Sequence, residues 1–308
     1  MRNIVHQNRN TEHQTPERLL DAIAIEEVIT IALEAGEAVM EIYEKDFEVG
    51  YKEDKSPLTE ADKKAHEIIS EGLSKIGTRS TEHGTQISAL PILSEEGRDI
   101  PYEERKEWEH YWCIDPIDGT KEFIKKNGEF TINIALIHKD TPVLGVVYAP
   151  ALRELYYAKK GEGAYKIMMN DECLMMNEKN LKNAQKLPIE NSTLNIKNST
   201  LKIVASKSHL NQETQEFIDN LTSNIQHSTF ISKGSSLKLL MVAEGSADIY
   251  PRLAPTMEWD TAAADAIVRE AGKMTYRYDP TFNIENLASK APLVYNKKEL
   301  LNPWFIVI

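Results

Sequence analysis

Six residues in the middle of the chain, Asp115-Pro116-Ile117-Asp118-Gly119-Thr120, combine types and spacing suited to holding a cation and an anion together. Pro116 fixes one backbone angle and removes a donor, and Gly119 can take a positive φ without cost. The chain is expected to turn sharply here and to hold Asp115 and Asp118 close together. Two crowded carboxylates repel each other unless a cation lies between them. Mg²⁺ takes oxygen ligands of this kind and usually shares them with a substrate phosphate. Past the turn, Gly119 and Thr120 offer backbone N–H groups and a hydroxyl at an expected helix start, a natural anion site. Taken alone, the same six residues read equally well as ordinary turn punctuation with solvated acids.

Other acids recur along the chain at places an element could aim. Thr59 with Asp62 three residues on fits a capping box at the head of a helix; a first-turn acid there can also meet a water beside a cation. Leu93-Ser94-Glu95-Glu96 closes a short apolar run. Two aspartates alone would leave an octahedral Mg²⁺ dependent on waters and phosphate oxygens, so a further carboxylate is needed; Glu95 is the chosen ligand and Glu96 the bystander. Asp260 precedes a small-residue helix, and by itself reads as a helix N-cap. Arg252, next to Pro251, suits bidentate phosphate capture, whereas Lys207, His209 and Lys238 alone read as ordinary surface groups.

The string Asp-Pro-Ile-Asp-Gly-Thr, with Thr59-Glu60-Ala61-Asp62, Leu93-Ser94-Glu95-Glu96 and Glu258-Trp259-Asp260-Thr261-Ala262-Ala263-Ala264 in that order around it, resembles the inositol monophosphatase superfamily of metal-dependent, lithium-sensitive phosphomonoesterases. Within it the chain is most similar to the bacterial 3'(2'),5'-bisphosphate nucleotidases of the CysQ type. The segments Ser206-Lys207-Ser208-His209, Lys233-Gly234-Ser235-Ser236-Leu237-Lys238, Tyr250-Pro251-Arg252 and Leu301-Asn302-Pro303-Trp304-Phe305 carry that likeness. The resemblance covers nearly all of the chain after the first fifteen residues. It implies an α+β fold, a layered αβαβα sandwich of the inositol monophosphatase and sugar phosphatase type. It implies two or three Mg²⁺ ions held by Glu95, Asp115, Asp118, Asp260 and the Ile117 carbonyl. Asp62 and Thr120 would orient and deprotonate a water. Gly119, Thr120, His209, Ser235, Lys238, Arg252 and Asp260 would contact the substrate. The reaction implied is hydrolysis of the 3'-phosphate of adenosine 3',5'-bisphosphate to AMP and phosphate, which recycles a by-product of sulfate assimilation and sulfotransfer. An inositol phosphate phosphatase, a phosphonucleotide-binding protein without turnover, and a structural divalent-cation protein are the rival readings.

These residues need elements to carry them. Apolar residues at helical spacing predict one long helix over Pro16 to Glu44 and a second over Glu60 to Ile76. Strands are expected at Phe47 to Tyr51, Leu90 to Leu93 and Tyr111 to Ile114. The runs Phe130 to Ile137, Val143 to Ala149, Glu154 to Ala158 and Ala164 to Lys166 predict an antiparallel meander. Thr78 to Ser88 and Asn180 to Ser199 read as loops, and Asp99 to Glu109 as a charged loop with a helical turn. Then come a strand at Leu201 to Ala205, helices at Gln212 to Leu221 and Ser235 to Glu244, a strand at Ala247 to Tyr250, and a helix over Thr261 to Ala271 whose alanines permit close packing. Residues 1–15 are expected to be a frayed polar tail, 16–165 a first α+β subdomain with most metal ligands, and 166–308 a second that completes the site.

Bulk properties bound the partners. At 308 residues, 41% hydrophobic and 27% charged, the chain is an ordinary globular protein with ample core. A net charge of −12 disfavours a nucleic-acid polymer or an anionic membrane as a broad partner, so any phosphate must meet cations placed locally. The two cysteines, Cys113 and Cys173, suit a reducing compartment. No apolar run is long enough to span a bilayer, and the N-terminus has no secretory core. A cytoplasmic location is therefore expected, at most peripheral to the inner face of the cell membrane, with a monomer and a homodimer both open.

Overall fold

The computed structural model describes residues 16–45, 47–51, 57–76, 89–169, 183–189, 200–206, 211–223, 227–282, 287 and 290–308. In chain order these form α1 (Pro16–Ala22), α2 (Ile25–Tyr43), β1 (Val49–Tyr51), β2 (Pro57–Thr59), α3 (Glu60–Ile76), β3 (Ile92–Ser94), α4 (Tyr102–Arg105), β4 (His110–Asp118), α5 (Thr120–Ile124), β5 (Thr131–His138) and β6 (Thr141–Ala149). They continue with β7 (Glu154–Lys159), β8 (Gly163–Met168), β9 (Gln185–Lys186), β10 (Leu201–Ser206), α6 (Gln212–Thr222), β11 (Ser228–Lys233), α7 (Leu237–Glu244), β12 (Tyr250–Arg252), α8 (Trp259–Glu270), β13 (Thr275–Arg277) and β14 (Phe305–Val307).

The main sheet has seven strands in the order β3-β4-β5-β6-β7-β8-β9. Only β3 and β4 run parallel; the rest pair antiparallel, as the meander predicts. Both faces are covered, which is why β4 and β5 read as nearly continuous apolar runs. Alternate residues serve opposite cores: Trp112 and Ile114 join the side chains of α2 and α3, while Tyr111 and Cys113 face α7 and α8. Beyond α7 and α8 lie two smaller sheets, β10 parallel with β11 and the antiparallel order β12-β14-β13. Ile218 of α6 packs against them with Ile203, Ile249 and Ile306. The layers run α, β, α, β, α, the expected sandwich.

The approach of α8 to the sheet is close. A Cβ at Gly145 on β6 would lie 2.2 Å from the Ala263 carbonyl oxygen, so glycine on the strand and alanine on the helix set the spacing together.

Several expectations need correction. The single helix over Pro16 to Glu44 is two, broken at Ile23 and Ala24. The Lys159 ammonium reaches in from β7 and donates to the Ile23 carbonyl at 3.2 Å, so a distant contact ends a helix that no local breaker would. The strand placed at Ala247 to Tyr250 is instead β12, Tyr250–Arg252. Strands β2, β11, β13 and β14 are additional to those expected, and the stretch Asn180 to Ser199, expected as a loop, contributes the two-residue strand β9 to the edge of the main sheet. The turn at Asp115-Pro116-Ile117-Asp118 is a register shift inside β4, because Pro116 has no N–H to give the ladder. The loop expected over Thr78 to Ser88 lies outside the described residues.

Candidate active site

Each acid arrives on a different element. β3 ends at Ser94 and the parallel ladder carries one step further, with Glu95 N donating to Ile114 O at 3.3 Å. Ser94 Oγ lies 2.9 Å from His66 Nδ1 on α3 and accepts from Glu96 N at 3.3 Å, which fixes the strand end that presents Glu95. The register shift in β4 takes Pro116 and Ile117 out of the ladder, while Asp115 and Asp118 stay paired on either side of it, opposite Asn133 and Thr131. Asp260 is the second residue of α8, and Glu258 takes the N-cap position instead. The Asp260 carboxylate still performs a capping duty, since its Oδ2 accepts from Met257 N at 2.8 Å.

Ligand oxygens of Glu95, Asp115 and Asp260 all lie within 4.8 Å of one another. Asp118 is not a member of that trio; its Oδ2 accepts from Ser236 Oγ at 2.7 Å. Asp115 is buried, and its Oδ1 accepts from Ile117 N at 3.0 Å while Oδ2 has no partner. Burial first, then the neighbouring charges of Glu95, Asp118 and Asp260, push the Asp115 carboxyl well above the usual range. Burial, Asp118 and Glu95 push Asp260 up to about 8. Asp118 is raised by burial, against the opposing pull of Lys238 and the Ser236 hydrogen bonds. Carboxylates this crowded and dry, with one oxygen orphaned, are a donor set that a hard divalent cation fits.

Asp62 caps the head of α3 and also reaches Thr120. Its Oδ2 accepts from Thr59 N at 2.7 Å and from Thr59 Oγ1 at 2.6 Å, the expected cap. Its Oδ1 accepts from Thr120 Oγ1 at 3.3 Å, and the same hydroxyl lies 3.3 Å from the Ile117 carbonyl. Gly119 sits at φ 92°, the left-handed region its type predicts, and α5 starts at Thr120. That helix is five residues long, so an anion held there depends on the two N–H groups more than on a dipole.

The acids share a cavity of about 300 Å³ with Lys121 and with two buried cations, Lys238 and Arg252. Lys238 is buried, donates to the Ser235 carbonyl and lies 5.6 Å from the Tyr250 ring centroid. Burial lowers its ammonium to about 8, against the pull of Asp118. Arg252 is 8% exposed; its guanidinium donates to Pro255 O at 2.8 Å, and its Nε, buried, has no partner. Ser235 lines the same cavity with φ at +42°, a strained value for serine. A buried guanidinium with an unused donor beside a buried ammonium is a site for an anion.

The profile of the inositol monophosphatase family matches residues 21–303. The chain belongs to that family. Within the family, the 3'(2'),5'-bisphosphate nucleotidase CysQ of Salmonella typhimurium strain LT2 is 44% identical over 251 residues, covering 80% of this chain and 88% of that protein. The CysQ nucleotidase of Escherichia coli strain K12 is 39% identical over 287 residues, covering 92% of this chain and 98% of its own. The crystal structure of CysQ from Bacteroides thetaiotaomicron, described as a bacterial member of the inositol monophosphatase family, aligns at 44% identity with a TM-score of 0.75, covering 92% of this chain and 96% of that one.

The fold of the family thus brings Glu95, Asp115, Ile117, Asp118, Gly119, Thr120, Ser235, Lys238, Arg252 and Asp260 to one cavity, with Asp62 behind Thr120. His209, with Lys207 and Ser208, lies outside the described residues. Sequence reasoning missed Ser236, Glu122, Tyr250 and Thr256, of which the last three line the cavity. Glu122 follows the central motif by two residues, close enough to have been considered; Tyr250 and Thr256 offered no signal of their own. Among the described residues no helix is long and apolar enough to cross a membrane.

Proposed function

We propose that this chain hydrolyses the 3'-phosphate of adenosine 3',5'-bisphosphate, giving AMP and phosphate, as part of sulfur metabolism and nucleotide recycling. The observation that carries the reading is one cavity lined both by the acidic trio Glu95, Asp115 and Asp260, with Asp115 buried, and by the buried pair Lys238 and Arg252. A bisphosphate needs both: acids to hold the cations for the reacting phosphate, and fixed positive charge for the second one.

Glu95, Asp115, Asp118, Asp260 and the Ile117 carbonyl would hold Mg²⁺, in two or three ions. Bound there, Mg²⁺ supplies neutralisation of the charge that develops on the transferring phosphoryl group. Asp62 Oδ1 and the Thr120 hydroxyl hold a water for in-line attack, and Asp62 takes its proton. The N–H groups of Gly119 and Thr120 grip the reacting phosphate. The ribose 3'-oxygen leaves with the electron pair of the broken P–O bond and gains a proton. Lys238 and Arg252 bind the 5'-phosphate, Ser235 orients it, and His209 contacts the nucleoside. No group on the enzyme is phosphorylated, and none is needed.

The division into residues 16–165 and 166–308 belongs to the same reading, supported by a cavity lined from both stretches. A cytoplasmic location and a monomer or homodimer complete it. The test is phosphate release from a panel with Mg²⁺: adenosine 3',5'-bisphosphate, 3'-AMP and inositol 1-phosphate. The bisphosphate is expected to give the highest kcat/KM. A preference for inositol 1-phosphate would sink the nucleotidase assignment and leave only a phosphatase. No turnover of any substrate would favour a binding protein.

A further inference from the structure

Ser236 stands at the N-cap position of α7 and does not cap it. A serine there ordinarily turns its hydroxyl back to an N–H of the first turn, a bond worth about 1 kcal/mol. Instead the hydroxyl of Ser236, 1% exposed, points into the acid cluster. It donates toward Asp118 Oδ2 at 2.7 Å and toward the main-chain oxygen of Asp260 at 2.8 Å. Asn133 Nδ2 donates to it at 2.9 Å. One hydroxyl has one proton, so the two acceptors share it, and an ionised carboxylate is the stronger claimant.

The three partners come from separate parts of the fold. Asp118 ends β4, Asp260 opens α8, and Asn133 lies on β5 directly opposite Asp115 in the ladder. A single hydroxyl therefore ties one acid-bearing strand of the main sheet to the helix that brings Asp260 from the other side of the cavity. A local rule broken at a buried position, with its hydroxyl spent on two acids from different layers, marks a functional device.

We infer that Ser236 is a positioning residue: by fixing the Asp118 carboxylate against the main chain of Asp260, it sets the affinity of the acid cluster for divalent cation. Asn133 orients the hydroxyl that does so. The inference rests on the reading of that cluster as a Mg²⁺ site. Groups that orient metal ligands typically change metal affinity by about 10- to 100-fold when removed.

The experiment follows the melting temperature of the full chain as MgCl₂ is raised without substrate, with KCl as the ionic-strength control, and repeats the titration as initial rates. Ser236→Ala is expected to move the Mg²⁺ midpoint upward by about 10- to 100-fold in both readouts. At saturating Mg²⁺ its KM for the bisphosphate should stay close to that of the unaltered chain. A variant that melts lower but keeps the original Mg²⁺ midpoint makes Ser236 a structural residue only, and overturns the inference. Should Ser236→Ala fail to fold, Asn133→Ala is the second variant. It keeps the hydroxyl but frees its orientation, and is expected to shift the midpoint in the same direction by less; an unchanged midpoint again overturns the inference. If the unaltered chain shows no response to Mg²⁺ beyond that to KCl, the metal reading itself fails and the inference falls with it.

Discussion

The Thr120 hydroxyl donates to Asp62 Oδ1 at 3.3 Å while the other oxygen of Asp62 is occupied by Thr59 at 2.6 Å. One carboxylate thus splits its two oxygens between closing a helix end and facing the cavity. Substitutions can separate the two duties. Asp62→Asn should lower kcat by about 10²- to 10⁴-fold, the usual worth of a general base, with KM little changed. Thr59→Ala removes the cap and should cost about 1 kcal/mol of stability, with a much smaller loss in kcat. Steady-state kinetics and urea denaturation on the two variants check this. Equal kinetic losses would mean that Asp62 acts only through the fold.

Arg252 and Lys238 are buried cations with no broad positive field around them on a chain of net charge −12. Arg252→Ala should raise KM for adenosine 3',5'-bisphosphate by roughly tenfold or more, the equivalent of about 1.5–3 kcal/mol for a charged hydrogen bond. Turnover of 3'-AMP, which lacks the second phosphate, should change far less. Equal losses on both nucleotides would place Arg252 elsewhere in the reaction.

The metal-free protein should be unusually sensitive to mild alkali. Asp260 titrates near 8 in the folded chain because of burial, Asp118 and Glu95, and Asp115 is raised in the same sense. Their folded values lie above the unfolded one, so the native state binds the extra proton, and stability falls as pH rises through the folded values. Histidines work the other way at lower pH: burial holds His110 down at about 4 and lowers His66 and His138. Their gain is complete near the unfolded histidine value of about 6.5. Lys238, lowered to about 8, adds stability only above that value. The clean window is therefore from about pH 6.5 to about 8. In EDTA, calorimetry should show the melting temperature falling across it by a few degrees, and Mg²⁺ should restore the most at the alkaline end. A flat or rising trend in EDTA would contradict the crowded-acid picture.

Gly145 tests how tightly the site depends on the core. An alanine methyl there would lie 2.2 Å from the Ala263 oxygen and 2.8 Å from Ala266 Cβ, and the first of these is backbone that cannot swing away. Gly145→Ala should cost about 1–3 kcal/mol or more by overpacking, read by denaturant titration. Because α8 also carries Asp260, kcat should fall along with stability. A stable, fully active variant would show that the helix can ride outward freely.

Much of this was legible in the chain. Gly119 announced its own left-handed backbone, the apolar run Tyr111 to Ile114 marked a buried strand, and the Ala262-Ala263-Ala264 run predicted a closely packed helix. The cap at Asp62 and the choice of Glu95 and Asp115 followed from residue type and spacing, whereas Asp260 alone read as an N-cap and joined the acids only through the family resemblance. What stayed hidden depended on distant partners. The break at Ile23 is made by Lys159, across 136 residues. The strand β11 is mostly exposed and carries no apolar alternation, and β13 and β14 are three residues each, too short for a period to show. Ser236 read only as part of the expected helix Ser235 to Glu244, and only its surroundings reveal where the hydroxyl goes.

The order β12-β14-β13 carries a consequence for biosynthesis. The strand that contains Arg252 is made before the neighbour it pairs with, which follows β13 more than fifty residues later. Until β14 slots between them, β12 lacks its ladder partner, whereas β13 can already bond to Ala291 and Leu293. A nascent chain can assemble the seven-stranded sheet and bring Asp115 and Asp118 together, yet its Arg252 strand stays unpaired. The anion-gripping half of the cavity matures last, so a chain truncated before β14 would gather acids without the arginine strand fixed beside them.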